Sequence, residues 1–390
     1  MRISRAWVFF YIGLTVCAFF FYREFQAALT YEFAEAFDGN DYRLAYDYFL
    51  GTASAYEVPP PFHQRILVPL LASWFGQGIL VDFQVVNLIF SILSVRVIFL
   101  LWRQLGLEFK WIMFGFIWLL FHWTGMIRLN AFDPITVDLP LYLFQGLFLL
   151  CLINRKFTLL LLLAPLATAQ KESFIGYMVV LLGYAWWHNK KSDDGYFDLK
   201  PIVLATLFAI LTKVALGFLF PPSEAGRGPL LMIAYQAKQL ITQPFEVLRW
   251  LAALSMAFGP LLWITGLSYA KTRSWDVKRN MLFLFSGLSL AYALLDGGDM
   301  TRIAYLGFPF VMTWLLVEAQ RADLKHLILL ALLSFPFMML HQAIPDPAFQ
   351  WELWQEWYPE FASKQTVCIV LAYTLAAFTI LFLNNRKVWR

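Results

Sequence analysis

The chain is poor in charge. Of its 390 residues only 14% are Asp, Glu, Lys or Arg, against about a quarter in soluble domains. A soluble fold with so little polar surface would present large apolar patches to water and associate through them. Cysteine is scarce too, at three residues, which excludes a small scaffold held by disulfides. Cys17, Cys151 and Cys368 all fall in apolar runs, so no structural disulfide is expected. There is no HExxH, paired CxxC, phosphate-binding P-loop or Gly-rich dinucleotide fingerprint, so soluble-cofactor chemistry has no support. No basic stripe interleaved with aromatics marks a nucleic-acid surface, and no repeat relates 1–195 to 196–390. What is abundant is apolar: 60% of residues are hydrophobic and 18% aromatic. That content excludes disorder and leaves a polytopic membrane protein, with the bilayer as solvent for most of the surface.

A crossing helix needs about 20 mostly apolar residues. Twelve segments read as spans: 6–22, 79–102, 111–127, 138–154, 157–170, 173–188, 201–219, 247–270, 280–295, 303–319, 326–341 and 365–384. With the N-terminus inside, the short segments 1–5, 103–110, 155–156, 189–200, 271–279, 320–325 and 385–390 face the cytoplasm. They hold more than half of the 30 Lys and Arg, as the positive-inside rule requires. Most carboxylates fall on the opposite side, so the net charge of +4 conceals a polarised molecule with a basic inner face. The expected fold is all-α. It is a polytopic transmembrane bundle of about 12 spans with cytoplasmic N- and C-termini. Residues 1–390 form one transmembrane domain without a separate soluble one, and short amphipathic helices lie in the first outer loop, 23–78. Tyr22-Arg23-Glu24-Phe25 lacks a small-x-small cleavage pattern, so the first span reads as a signal anchor.

The outer segments carry the chemistry. In AFDGNDYRLAYDYF (36–49), Asp38 and Asp41 are three apart and face the same way on a helix or tight turn. They read either as a capped turn or as a carboxylate site able to take a proton from an acceptor hydroxyl. Arg43 and Asp47, four apart, have the spacing of a helical ion pair. PPPFHQRILVPLLASWFG (59–76) follows, and its residues 64–75 read as a short amphipathic helix at the outer leaflet. Asp133-Pro134 in RLNAFDPITVD (128–138) fits a helix start, with Asp at the cap and Pro at the first position. Asp138 lies at the edge of an apolar run, where charge is costly, and Arg128 flanks the same loop.

Lys171-Glu172 sits where two spans meet almost without a loop. The pair reads as a mutual salt bridge at a tight hairpin, or as a phosphate-binding Lys oriented by the Glu. In DGGDMTR (296–302) the glycines allow backbone N–H groups to approach an anion, and Arg302 suits bidentate phosphate contact. Arg96 and Lys213 lie inside spans and read as snorkelling side chains. His63 neighbours Arg65, and the Trp-rich segment 351–358 reads as an interfacial belt.

An inner N-terminus, one span, a long outer loop with an early acidic motif and then many spans resembles the GT-C superfamily of integral membrane glycosyltransferases, in a bacterial uncharacterised branch. The residues that carry the resemblance are AFDGNDYRLAYDY, the stretch PFHQRILVPLLA (61–72), Lys171-Glu172, and Asp299-x-x-Arg302 followed by Pro309. It implies transfer of a sugar, with inversion, from a polyprenyl-phosphate-linked donor to a lipid or glycan acceptor, on the outward face of the cell's inner membrane. Asp41, then Asp38, would be the general base. Arg65, Lys171 and Arg302 would bind the donor phosphate and offset the charge of the leaving group. Asp133, Asp138, Arg128, Glu172, Asp299 and His63 would orient substrate. No metal or other cofactor is obligatory on this reading, although so many carboxylates make a divalent ion feasible. The other classes compatible with the sequence are a transporter or flippase of lipid-linked sugars and a glycan polymerase or ligase.

Overall fold

The computed structural model describes residues 5–33, 37–192, 194–223, 229–271, 276–295 and 299–384. It is 78% helix, and among the described residues there is no strand. Each of the twelve apolar segments is occupied by helix. Among the described residues five helices are long and apolar enough to cross a bilayer: Ala6–Phe25, Ile79–Gln104, Leu199–Leu219, Phe245–Leu267 and Lys364–Asn384. Met300–Leu306 and Phe308–Ala319 form a sixth crossing if their 70° bend is counted within one span. Others are shorter, among them Phe109–Phe121, Leu139–Ile153, Phe157–Gln170 and Leu324–Met338. The chain is an all-helical membrane protein.

Some helices stop before their apolar runs do, for local polar reasons. The run expected over 111–127 ends at Phe121, where His122 turns to extended backbone. Its imidazole contacts the Met256 carbonyl at 2.8 Å and accepts the Thr124 N–H at 3.2 Å. Those partners lie off the helix axis. The helix expected to begin at Asp133-Pro134 begins instead at Leu139, with Asp138 at its N-cap and Pro140 in the first turn. Residues 133–138 are irregular, and the Asp133 carboxylate is taken by a tyrosine. The amphipathic helix read over 64–75 is shorter, Leu67–Ser73, and is preceded by a 3-10 turn, Phe62–Gln64.

The chain divides into two compact units. One comprises Met1–Thr30, Trp102–Phe132 and Gly228–Arg390, and the other Tyr31–Leu101 and Asp133–Arg227. In the first, Phe245–Lys271 packs against Met300–Leu306, Phe308–Ala319, Leu324–Ser334 and Lys364–Asn384. Its helix breaks at Gly259, whose φ of 60° disfavours any side chain, and Pro260 follows without an N–H to lose. Arg279 on Val277–Leu295 forms a buried bidentate pair with Glu318 on Phe308–Ala319, Nη2 to Oε2 at 2.6 Å. Opposed charges are the only economical way to bury either group.

The second unit holds the acidic motif that carries Asp38 and Asp41. Asp38–Leu50 packs on Leu67–Ser73, and Leu160–Gln170 packs against Leu139–Ile153, Phe174–Lys191 and Leu199–Leu219. The Phe62–Gln64 turn rests on both Asp38–Leu50 and Leu199–Leu219. Leu139–Ile153 is apolar all round and buried along nearly its whole length. It is therefore the core of this unit, with more amphipathic elements around it.

Candidate active site

Asp38 and Asp41 occupy the first turn of Asp38–Leu50. Both are half-buried. Acidic residues suit that end of a helix, where backbone N–H groups lack partners. Burial and then the neighbouring Asp38 push the Asp41 carboxyl up to about 6. A carboxylate there has the basicity to take a proton near neutrality.

The turn is placed by Gly39. A Cβ at that position would fall 2.4 Å from Cε1 of Tyr31 and 3.1 Å from the Ile135 carbonyl. Tyr31 is itself fixed: its hydroxyl donates to Asp133 Oδ1 at 2.5 Å and accepts the Ile135 N–H at 3.0 Å. The 133–138 segment is anchored at two further points. Asn87 Nδ2 donates to the Pro134 carbonyl at 2.9 Å, and Gln170 Nε2 donates to the Val137 carbonyl. Asp133 thus fixes Tyr31, whose ring abuts the bare backbone of Gly39.

One turn along the helix, Tyr42 is buried and accepts from Arg65 Nη1 at 3.1 Å. Arg65 presents Nε and Nη2 to Glu172 at 3.2 and 2.8 Å, a fork-to-fork pair that fixes both planes. The Phe62 ring lies 5.3 Å from the guanidinium. Burial pushes the Glu172 carboxyl up, but Arg65 outweighs it and holds the group at about 2. Lys171 Nζ donates to Asp138 Oδ1 at 3.1 Å, with both side chains nearly buried. Lys171 and Glu172 therefore do not pair with each other. Lys171 has extended backbone (φ −156°, ψ 124°), and successive side chains of an extended segment point opposite ways. The two charges take separate partners for that reason. Tyr42 also feels the charges of Asp38 and Asp138, so the two ion pairs and the acidic turn share one electrostatic neighbourhood.

His63, in the turn before Arg65, is 9% exposed. Its Nδ1 is buried without a hydrogen-bond partner among the described residues. Burial lowers its pKa, Glu172 opposes that, and Lys213 and Arg65 lower it further. The imidazole is neutral at physiological pH. Arg43 and Asp47 form no ion pair among the described residues, although they share a helix. An Arg N-terminal to its acid is the weaker order for such a pair.

Arg128, Asp299 and Arg302 belong to the other unit. Arg128 is fully buried, and its guanidinium donates to the carbonyls of Met338 (3.0 Å), Met339 (2.9 Å) and Gln342. It lies over the rings of Tyr22 and Trp357. It is committed to the backbone around Met339, a non-glycine residue with φ of 47°. Asp299 caps Met300–Leu306 by accepting the Arg302 N–H at 2.9 Å, and it holds Arg302 Nε at 3.3 Å. The turn residues Asp296, Gly297 and Gly298 lie outside the described residues.

Beside Asp299 stands Glu360, which the sequence reading missed. Its Oε1 accepts the Met300 N–H at 3.1 Å, and burial and Asp299 push its carboxyl well above the usual range. Nothing local marks Glu360, since it follows a Trp-rich segment that reads as interfacial. Tyr31, Gly39 and Tyr42 were missed too. The signal available was their placement inside and just before the acidic motif. Among the described residues no three His, Cys, Asp or Glu side chains come close enough to share a metal ion.

Compared with models of known protein families, with curated proteins and with solved structures, the chain has no match.

Proposed function

We propose that the chain is an integral membrane glycosyltransferase that takes a sugar from a polyprenyl-phosphate-linked donor. The observation that carries this reading is Asp41: a half-buried carboxyl raised to about 6 beside Asp38, on a rigidly seated turn, in the same unit as two paired cations. In the reaction an acceptor hydroxyl on a lipid or glycan attacks the anomeric carbon. Asp41 takes the hydroxyl proton, the bond from that carbon to the phosphate oxygen breaks, and polyprenyl phosphate departs with the electron pair. One displacement with one base gives inversion, and no obligatory metal is invoked. Asp38 sustains the basicity of Asp41, and Asp133 positions it through Tyr31. The finer topology belongs to the same proposal: twelve spans, both termini cytoplasmic, and the acidic turn outward from a bacterial inner membrane.

The test is turnover by purified protein in nanodiscs, given a polyprenyl-phosphate sugar and a labelled acceptor. Release of polyprenyl phosphate is expected, and Asp41→Asn should slow it at least about a hundredfold, the usual scale for losing a general base. Full activity in both Asp41→Asn and Asp38→Asn would overturn the assignment of the base.

One observation favours transport instead. Met300–Leu306 and Phe308–Ala319 are bent by 70°, and broken helices are common at the binding sites of transporters. The same assay separates the readings, because a transporter moves the lipid-linked sugar with no bond cleaved.

A further inference from the structure

Arg65 and Lys171, the cations expected at the donor phosphate, are already neutralised in the second unit by Glu172 and Asp138. A phosphate reaching either would have to displace a carboxylate held by hydrogen bonds in a nearly buried setting, where a stranded charge is costly. A neighbouring cation is not spent in this way. Lys213 lies within the apolar helix Leu199–Leu219, six residues before its end, so about 9 Å along the axis from that end. It makes no hydrogen bond or ion pair with any described residue. A charge inside an apolar span is costly enough that an unpaired one calls for a function.

Lys213 lies on the helix against which the turn carrying His63 rests, and its charge acts on that imidazole, as do those of Glu172 and Arg65. His63 combines 9% exposure with an unpartnered Nδ1, and a buried polar atom without a partner is a site for a ligand to satisfy. The packing fixes this arrangement. The Phe62–Gln64 turn rests on Leu199–Leu219, and the Cβ position of Gly217, one turn beyond Lys213, lies 3.0 Å from Gln64 Nε2. Arg65 and Glu172 hold each other in a doubly hydrogen-bonded pair, whereas Lys213 has no such partner among the described residues. On the same helix Val214 and Phe218 are exposed, an apolar surface adjoining the cation.

We infer that Lys213 and His63 form an anion subsite for a phosphate carried on a lipid. The ammonium meets the phosphate charge, the neutral imidazole donates one N–H to a phosphate oxygen, and the apolar chain lies over Val214 and Phe218. This deepens the transferase reading, on which it rests for the identity of the lipid, by separating the cation that binds the leaving phosphate from the cations that hold the site together. It also gives a role to a lysine that sequence alone reads as snorkelling.

The test is binding without turnover. The full chain in zwitterionic nanodiscs is titrated with polyprenyl monophosphate, with inorganic phosphate as the water-borne competitor. Saturable binding is expected. Lys213→Gln should weaken it about tenfold or more, the scale of one lost charge-assisted contact. Lys213→Arg should largely keep it, and His63→Phe should weaken it by a smaller factor. Lys213→Gln should leave the thermal midpoint unchanged, since the lysine holds nothing in the fold. Wild-type affinity in Lys213→Gln overturns the inference. Equal competition by inorganic phosphate overturns the lipid as its source. Lys213-dependent binding in a chain that releases no sugar keeps the subsite and sinks the transferase. Turnover with Lys213-independent binding does the reverse.

Discussion

Gly39 and Tyr31 meet backbone to ring: a Cβ on the glycine would sit 2.4 Å from Cε1 of the tyrosine. Asp38 and Asp41, on either side of that glycine, are therefore held by a contact that tolerates no side chain. Gly39→Ala should shift the turn and cost about 1–3 kcal/mol, the usual range for overpacking a tight site. Turnover should fall further than the loss of stability explains, because Asp41 moves with the turn. Thermal unfolding and turnover measured on one preparation check this, and an alanine variant with wild-type turnover would refute it.

Tyr31→Phe tests the same contact from the other side. It removes the hydroxyl between Asp133 and the Ile135 N–H, leaving both unsatisfied. A cost of about 1–3 kcal/mol is expected, with turnover reduced although neither Asp38 nor Asp41 is altered. Urea or thermal unfolding in detergent measures the first quantity and the release assay the second.

The pH dependence follows from Asp41. Its carboxyl stands at about 6, and a base works only when unprotonated. The rate should be flat above that value and fall tenfold per pH unit below it. Asp38→Asn removes the secondary cause of the shift and leaves burial, the larger one. The limb should then move toward lower pH without reaching the ordinary carboxylate value. A limb unmoved in that variant would mean that the titrating group is not Asp41.

Arg65 and Glu172 form a nearly buried, doubly hydrogen-bonded pair. Glu172→Gln or Arg65→Gln should each cost about 3–5 kcal/mol, since each strands the opposite charge. Arg65→Lys should also be poorly tolerated, because an ammonium cannot reproduce the fork. The sign with pH is fixed by the depressed carboxyl of Glu172. Its contribution is complete above its ordinary value of 4.5 and is lost as pH falls toward about 2. Acid unfolding of wild type against Glu172→Gln measures it, and identical acid transitions would contradict it.

The helices were legible in the sequence and the pairings were not. Hydropathy is a local signal, so each apolar run became a helix. Where a run overshot, as past Phe121, a single polar residue with distant partners, His122, was responsible. Asp38 and Asp41 were legible as a unit because three residues on a helical turn are neighbours. The partners of Lys171 and Glu172 were not, because they depend on one extended residue at position 171 and on residues far away in sequence. Arg128 illustrates the same limit. Its place beside an acidic loop suggests substrate, whereas the guanidinium is occupied by carbonyls more than two hundred residues later.

The Arg65–Glu172 pair joins residues 107 positions apart. This has a consequence for biogenesis. While the chain is being inserted, the ribosome makes Arg65 long before its counter-charge, with four expected apolar segments emerging in between. Until residue 172 arrives, the guanidinium has no carboxylate partner and stays in water rather than in the fold. The acidic turn, bound to Arg65 through Tyr42, is seated only when the sixth apolar segment begins to enter. A chain truncated before residue 172 should therefore insert its early helices normally and still leave Asp38 and Asp41 open to water-borne carboxylate-labelling reagents.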